Sequence, residues 1–160
     1  VPTNCVNSRY GCVNRSVKRA TKRPESVLVV VYTTAGEILM LRRARPSDFW
    51  QSVTGSLKWG ESATQAARRE LYEETGILAG GALIDLGCKE TFPILPAWRS
   101  RYGANAYTNT EYWFAVRLPF RRQLRLHPQE HAEYRWVHYA QAMRLATSWT
   151  NRKAIQYIFS

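Results

Sequence analysis

The segment from Gly55 to Ile77, GSLKWGESATQAARRELYEETGI, constrains this chain more than any other, because it sets Glu70, Glu73 and Glu74 within one expected helical turn. Residues three and four apart are neighbours on a helix, so Glu70 meets both of the others, and each like-charged pair costs about 0.2–0.5 kcal/mol. Backbone carbonyls at a helix C-terminus carry partial negative charge and add to that cost. A cation is needed to offset it. The natural counterpart is a hard divalent ion that takes oxygen ligands, Mg²⁺ first and Mn²⁺ as its substitute. Taken singly, a helical glutamate is a solvated surface residue; the clustering reverses that reading.

At 160 residues the chain is long enough for one domain that buries roughly two thirds of its unfolded surface. Cys5, Cys12 and Cys88 are odd in number and lack a CxxC spacing, which fits free thiols in a reducing cytoplasm. His127 and His131 are four apart and could share a helix face as zinc ligands, but no cysteine pair accompanies them. There is no long apolar run for a membrane span and no hydrophobic signal core, so no membrane partner is expected and the location expected is cytoplasmic. The net charge of +11 favours anionic partners, a triphosphate or a polynucleotide. Part of it falls in residues 1–21, read as a disordered basic extension preceding a single domain over 22–160.

Along that domain, Ser26 to Tyr32 (SVLVVVY) is a continuous β-branched run, expected as a central strand buried on both faces. A turn at Thr33–Glu37 leads to a second strand over Ile38–Arg43, and Phe49–Thr54 leads into Gly55, where backbone can approach a ligand with no Cβ in the way. The helix is expected over Ser62–Glu74, with Ala63, Ala67 and Leu71 toward the sheet, Glu70 and Glu74 toward the open edge of a site, and Gly76 as a left-handed cap. Further strands are read at Leu83–Glu90, Glu111–Leu118 and Tyr134–His138. Thr91–Thr110 is read as a long irregular lid carrying Phe92 and Trp98, and helices are read over Ala140–Ala146 and Asn151–Phe159. This order suggests a mixed sheet between helices. From spacing alone, Glu70 and Glu74 are the favoured metal pair and Glu73 stays open between a second ion and a purely electrostatic role. Arg43, at a strand end, has the fork to grip a triphosphate.

The spacing Gly55, five residues, Glu61, seven residues, then Arg69-Glu70-Leu71-Tyr72-Glu73-Glu74-Thr75-Gly76-Ile77 resembles the Nudix box at every fixed position. The resemblance implies an α/β fold, a Nudix α/β/α sandwich with a mixed β-sheet, and hydrolysis of a diphosphate linkage by metal-activated water. It also implies that Glu61 braces Arg69 structurally, that the Gly55 carbonyl is a further metal ligand, and that a late-loop glutamate serves as base or ligand, with Glu130 favoured over Glu133. Outside the box, KRPESVLVVVY, DFWQSVTGS, RYGANAYTNTEYWF and TSWTNRKAI resemble a Nudix branch acting on dihydroneopterin triphosphate in folate biosynthesis. That likeness implies substrate contacts at Lys22, Arg43, Thr54 and Ser148, and magnesium at Glu70, Glu74 and Glu130. dATP is an implied secondary substrate. Phe92 to Trp98 are candidates for stacking on a flat heteroaromatic ring.

Two rival substrates keep weight. Pro93 lies about sixteen residues past the box, as in ADP-ribose pyrophosphatases, and the basic charge would suit RNA 5′ ends. The expected partner is a small-molecule triphosphate rather than nucleic acid, and oligomeric state is not legible.

Overall fold

The computed structural model describes residues 21–160, so the basic extension, apart from Thr21, and the thiols Cys5 and Cys12 lie outside the described residues. The run read as the central strand is one: β1 (Glu25–Thr33) buries five consecutive residues, Val27 to Val31. It pairs in parallel with β6 (Thr108–Leu118) along its whole length, from Glu25↔Thr110 to Thr33↔Leu118. Alternation then sends its side chains to two cores. Val27, Val29 and Val31 meet α1 (Ala63–Thr75) through Ala66, Ala67 and Leu71, while Leu28 and Val30 meet Ala142, Ala154 and Ile155 of α2 (Tyr139–Leu145) and α3 (Trp149–Phe159). The result is a mixed, seven-stranded sheet between helices.

The other edge of β1 is shared, and this positions the site. β2 (Glu37–Arg43) touches β1 in register only at Tyr32↔Ile38 and then diverges. Into the gap goes a kinked segment: β3 (Trp50–Gln51) pairs with the end of β2, and β4 (Val53–Ser56) pairs with the start of β1, from Val29↔Val53 to Ser26↔Ser56. β7 (His131–His138) lines the far side of β2, and β5 (Leu83–Pro93) lines β6.

Several expectations need correcting. The last strand begins at His131 rather than Tyr134, because pairing with β2 continues to Arg43↔His131 across an irregularity at Arg42/Arg43. His127 and His131 share no helix; His127 lies in a turn whose carbonyl accepts from the N–H groups of Glu130 and His131, at 3.0 and 2.9 Å. The stretch Thr91–Thr110 is only partly irregular, since β5 runs on to Pro93, β6 starts at Thr108, and a short 3₁₀ helix spans Pro96–Arg101 between them. Among the described residues, no helix is long and apolar enough to cross a membrane.

Candidate active site

Helix α1 carries the acids, and local chemistry sets both its ends. Ser62 caps it by accepting from the Gln65 N–H, and Gln65 answers by accepting from the Ser62 N–H, so two otherwise orphaned donors are satisfied. Gly76 ends it at φ 75°, a conformation that costs glycine nothing, and donates to the Tyr72 carbonyl at 2.8 Å.

Arg69 organises the acidic face. Its Nε and Nη2 donate to the two oxygens of Glu61 at 2.8 and 2.9 Å, its Nη2 also reaches the Ser56 carbonyl at 3.0 Å, and its Nη1 donates to Glu70 and Glu73 at 2.6 and 3.1 Å. The guanidinium bonded to Glu61 holds that carboxyl down at about 2 against the opposing effect of burial. Glu73 is thus tied to Arg69 on an exposed flank. The Glu70 carboxyl lies against β4: a Cβ on Gly55 would stand 1.9 Å from its Cδ. Burial, abetted by Glu74 and Glu73 and opposed by Arg69, pushes Glu70 up to about 7.

Glu74 was expected at the open edge and is buried instead, 4% exposed. Burial raises its pKa well above the carboxylate range, the charge of Glu130 adds to that, and the Thr54 N–H and Arg43 oppose it. Glu74, Glu130 and His131 offer ligand atoms within 4.8 Å of one another. The sequence sets His131 four residues from His127; the fold gives it Glu74 instead. Its Nε2 lies 3.1 Å from Glu74 Oε2 without the alignment of a hydrogen bond, and both atoms are buried and unpartnered among the described residues. Burial also keeps the imidazole below its ordinary pKa. Two buried polar atoms held together without a hydrogen bond fit a cation, since leaving each unsatisfied costs about 1–3 kcal/mol. Two carboxylates and an imidazole form a donor set suited to a divalent ion.

The remaining candidates are spread around this cluster. Arg43 stands at the end of β2, its guanidinium 5.3 Å from the Phe49 ring centroid and its charge felt by Glu74 and His131. Thr54 is half-buried on β4 and accepts from Gln51 Nε2 at 3.2 Å. Glu133 is committed elsewhere, bonded to Arg42 and Arg135 at 2.9 and 2.6 Å, whereas Glu130 is exposed beside the cluster. Ser148 caps α3, accepting from the Asn151 N–H at 3.2 Å. Lys22 lines an open cleft of ≈ 340 Å³ with Trp59 and residues 103–106, and its neighbour Arg23 donates to the Glu61 carbonyl at 2.8 Å. Trp98 stands 44% exposed on the 3₁₀ helix.

Acids on one helix, facing a split in a mixed sheet and joined there by Glu130 from a turn and the imidazole of His131 at the start of β7, are the frame of a divalent-cation hydrolase. The NUDIX domain model matches residues 22–158, and the chain belongs to the Nudix hydrolases, enzymes that use divalent metals. The chain is 44% identical over 139 residues to dihydroneopterin triphosphate diphosphatase of Escherichia coli K12, covering 84% of this chain and 91% of that protein. It is 34% identical over 144 residues to the Haemophilus influenzae protein of the same name, covering 87% and 90%. Among solved structures, the Escherichia coli dihydroneopterin triphosphate pyrophosphohydrolase superposes with a TM-score of 0.80 at 42% identity, over 89% of this chain and all of that one.

Proposed function

We propose that this chain is a Mg²⁺-dependent pyrophosphohydrolase that converts dihydroneopterin triphosphate and water to dihydroneopterin monophosphate and pyrophosphate, with dATP as a secondary substrate. The observation that carries the reading is the 44% identity to a relative of that activity, extending over nearly all of both chains. The intact acid set on α1 supports it.

In this reading Glu70, Glu74 and Glu130 would hold the ion, with the Gly55 carbonyl as a further oxygen donor and His131 beside Glu74 as its neighbour. Bound there, Mg²⁺ supplies electrophilic activation of the attacking water and neutralises charge on the phosphate oxygens. Glu61 fixes Arg69, and Arg69 in turn holds Glu70 against β4, so the acids need little reorganisation when substrate arrives. Arg43 grips the triphosphate with Lys22, Thr54 and Ser148 as further contacts, and Trp98 is a stacking candidate. Glu130, exposed at the cluster while Glu133 is bound to arginines, takes a proton from water or adds a ligand. Glu73 acts on the field through Arg69.

A substrate panel with Mg²⁺ tests the reading: dihydroneopterin triphosphate, dNTPs, ADP-ribose and triphosphorylated RNA. The highest kcat/KM is expected for dihydroneopterin triphosphate, and a clear preference for ADP-ribose or RNA overturns it. Glu74→Gln is expected to remain folded while losing about 100-fold or more in kcat; near-normal turnover would remove Glu74 from the site.

A further inference from the structure

Between β3 and β4 the chain changes partners, and Ser52 stands at the change. Gln51 is the last residue paired with β2, opposite Leu41, and Val53 is the first paired with β1, opposite Val29. Ser52 is wholly buried, where an orphaned backbone N–H is costly. Asn151 takes up that N–H from α3, on the sheet face opposite α1: its Oδ1 accepts from it at 2.7 Å, and its Nδ2 donates to Ser52 Oγ at 2.9 Å. The same end of α3 is stitched to β3, since the Trp50 N–H donates to Thr147 Oγ1 at 2.9 Å and the Trp50 carbonyl accepts from the Thr147 N–H at 3.0 Å. Ser148 caps the helix by accepting from the Asn151 N–H, so Asn151 is held at its own backbone while its amide reaches the sheet.

Just beyond this clamp, the same strand touches the acids. The Thr54 N–H donates to Glu74, and the next residue, Gly55, abuts the Glu70 carboxyl. β4 is only four residues long, so a shift at Ser52 is carried into both. Asn151 shares the buried side of α3 with Ala154 and Ile155, where an apolar residue would suit both the helix and the core better. Among the described residues its side chain bonds to Ser52 alone. The use of a wholly buried amide at this position is therefore the hold on Ser52.

We propose that Asn151 is a positioning residue for the metal site: by fixing Ser52 it sets where the Thr54 N–H and the Gly55 backbone stand, and through them the carboxylates of Glu74 and Glu70. The proposal rests on the assignment of the ion to those acids and not on which triphosphate is cleaved. Asn151 bonds to neither acid and acts through the strand, as groups behind metal ligands do when they hold those ligands in place. It reads no ring, so pterin and adenine substrates depend on it alike.

Variants separate positioning from packing. Asn151→Leu keeps the size of the side chain and deletes both bonds. Asn151→Asp keeps them, since either protonation state accepts from the Ser52 N–H and bonds to its hydroxyl. Ile155→Val loosens α3 against the same core and leaves the clamp in place. The Mg²⁺ concentration for half-maximal activity, measured on whichever triphosphate is cleaved fastest, should rise about 10–100-fold in Asn151→Leu, stay within about 3-fold of wild type in Asn151→Asp and not move in Ile155→Val. Mn²⁺ binding to the substrate-free proteins, read by electron paramagnetic resonance, should weaken in Asn151→Leu alone of the three, and thermal scans report which variants are folded. Where Asn151→Leu does not fold, Asn151→Ala carries the same expectation. An unmoved Mg²⁺ requirement in the folded Leu or Ala variant overturns the proposal, as does an equal rise in Ile155→Val or no recovery in folded Asn151→Asp. If Glu74→Gln abolishes Mn²⁺ binding and Asn151→Leu leaves it intact, the metal assignment stands and only the positioning falls. If Asn151→Leu weakens binding while another triphosphate outruns dihydroneopterin triphosphate, the substrate reading falls and the positioning stands.

Discussion

At Gly55, backbone and carboxylate come so close that hydrogen alone fits, with Glu70 filling the space a Cβ would take. The backbone there is ordinary strand, so Gly55→Ala should fold and lose function through displacement of Glu70 rather than through strain. We expect its Mg²⁺ requirement to rise about 10-fold or more while the melting temperature moves little, read by Mg²⁺ titration of activity and by thermal scans. The Glu61–Arg69 pair gives a second prediction. Bonding to Arg69 lowers the folded pKa of Glu61 from 4.5 to about 2, so its contribution is full above about 4.5 and is lost as pH falls toward 2. That contribution is on the order of 2–3 kcal/mol, and Glu61→Gln should flatten the acid limb of stability against pH in urea titrations. An acid limb that does not change would mean the pair contributes little. Gly55, Glu61, Glu70 and Glu74 were all legible as a spacing in the chain; His131 was not, since its partner Glu74 lies far from it in sequence and only the fold joins them.

Helix α1 shows how an element brings such residues to bear. Its capping box and its left-handed glycine fix where it starts and stops, and Ala66, Ala67 and Leu71 fix which side meets β1 and β4, which leaves Glu70 and Glu74 facing the split in the sheet. Ser62→Ala should destabilise the protein by about 1 kcal/mol in urea unfolding, with kcat changed far less than in Glu74→Gln, because the cap lies at the end of the helix away from Glu74. The C-terminal end is legible through Gly76 because capping is local, decided by residues three or four apart, whereas Ser62, read as the first helical residue, is the cap that precedes the helix. The ends of β5, β6 and β7 are not legible in that way. His131 belongs to a strand because Arg43 pairs with it, and Pro93 and Thr108 extend theirs because they pair with each other.

Across the described residues, one sheet separates two cores, with the acids on the α1 side, and the β3–β4 segment between β1 and β2 contributes to both, Val53 to the α1 core and Trp50 to the other. A cation binding only the folded form should raise the melting temperature: Mg²⁺ at 100 times its Kd adds about 2.7 kcal/mol. Glu74→Gln should lose most of that shift, and an equal shift in both proteins would place the ion elsewhere. The sequence by itself determined the layered α/β class, the central strand, the helix with its C-terminal glycine cap and the acids of the Nudix box, because hydrophobic period, capping and box spacing all act over a few residues. Tertiary structure alone decided that Glu74 is buried, that His131 and Glu130 close on it while Glu133 is held by arginines, and that Asn151 reaches Ser52. Each of those depends on strand register and on low-dielectric burial between segments distant in the chain, which no local pattern encodes.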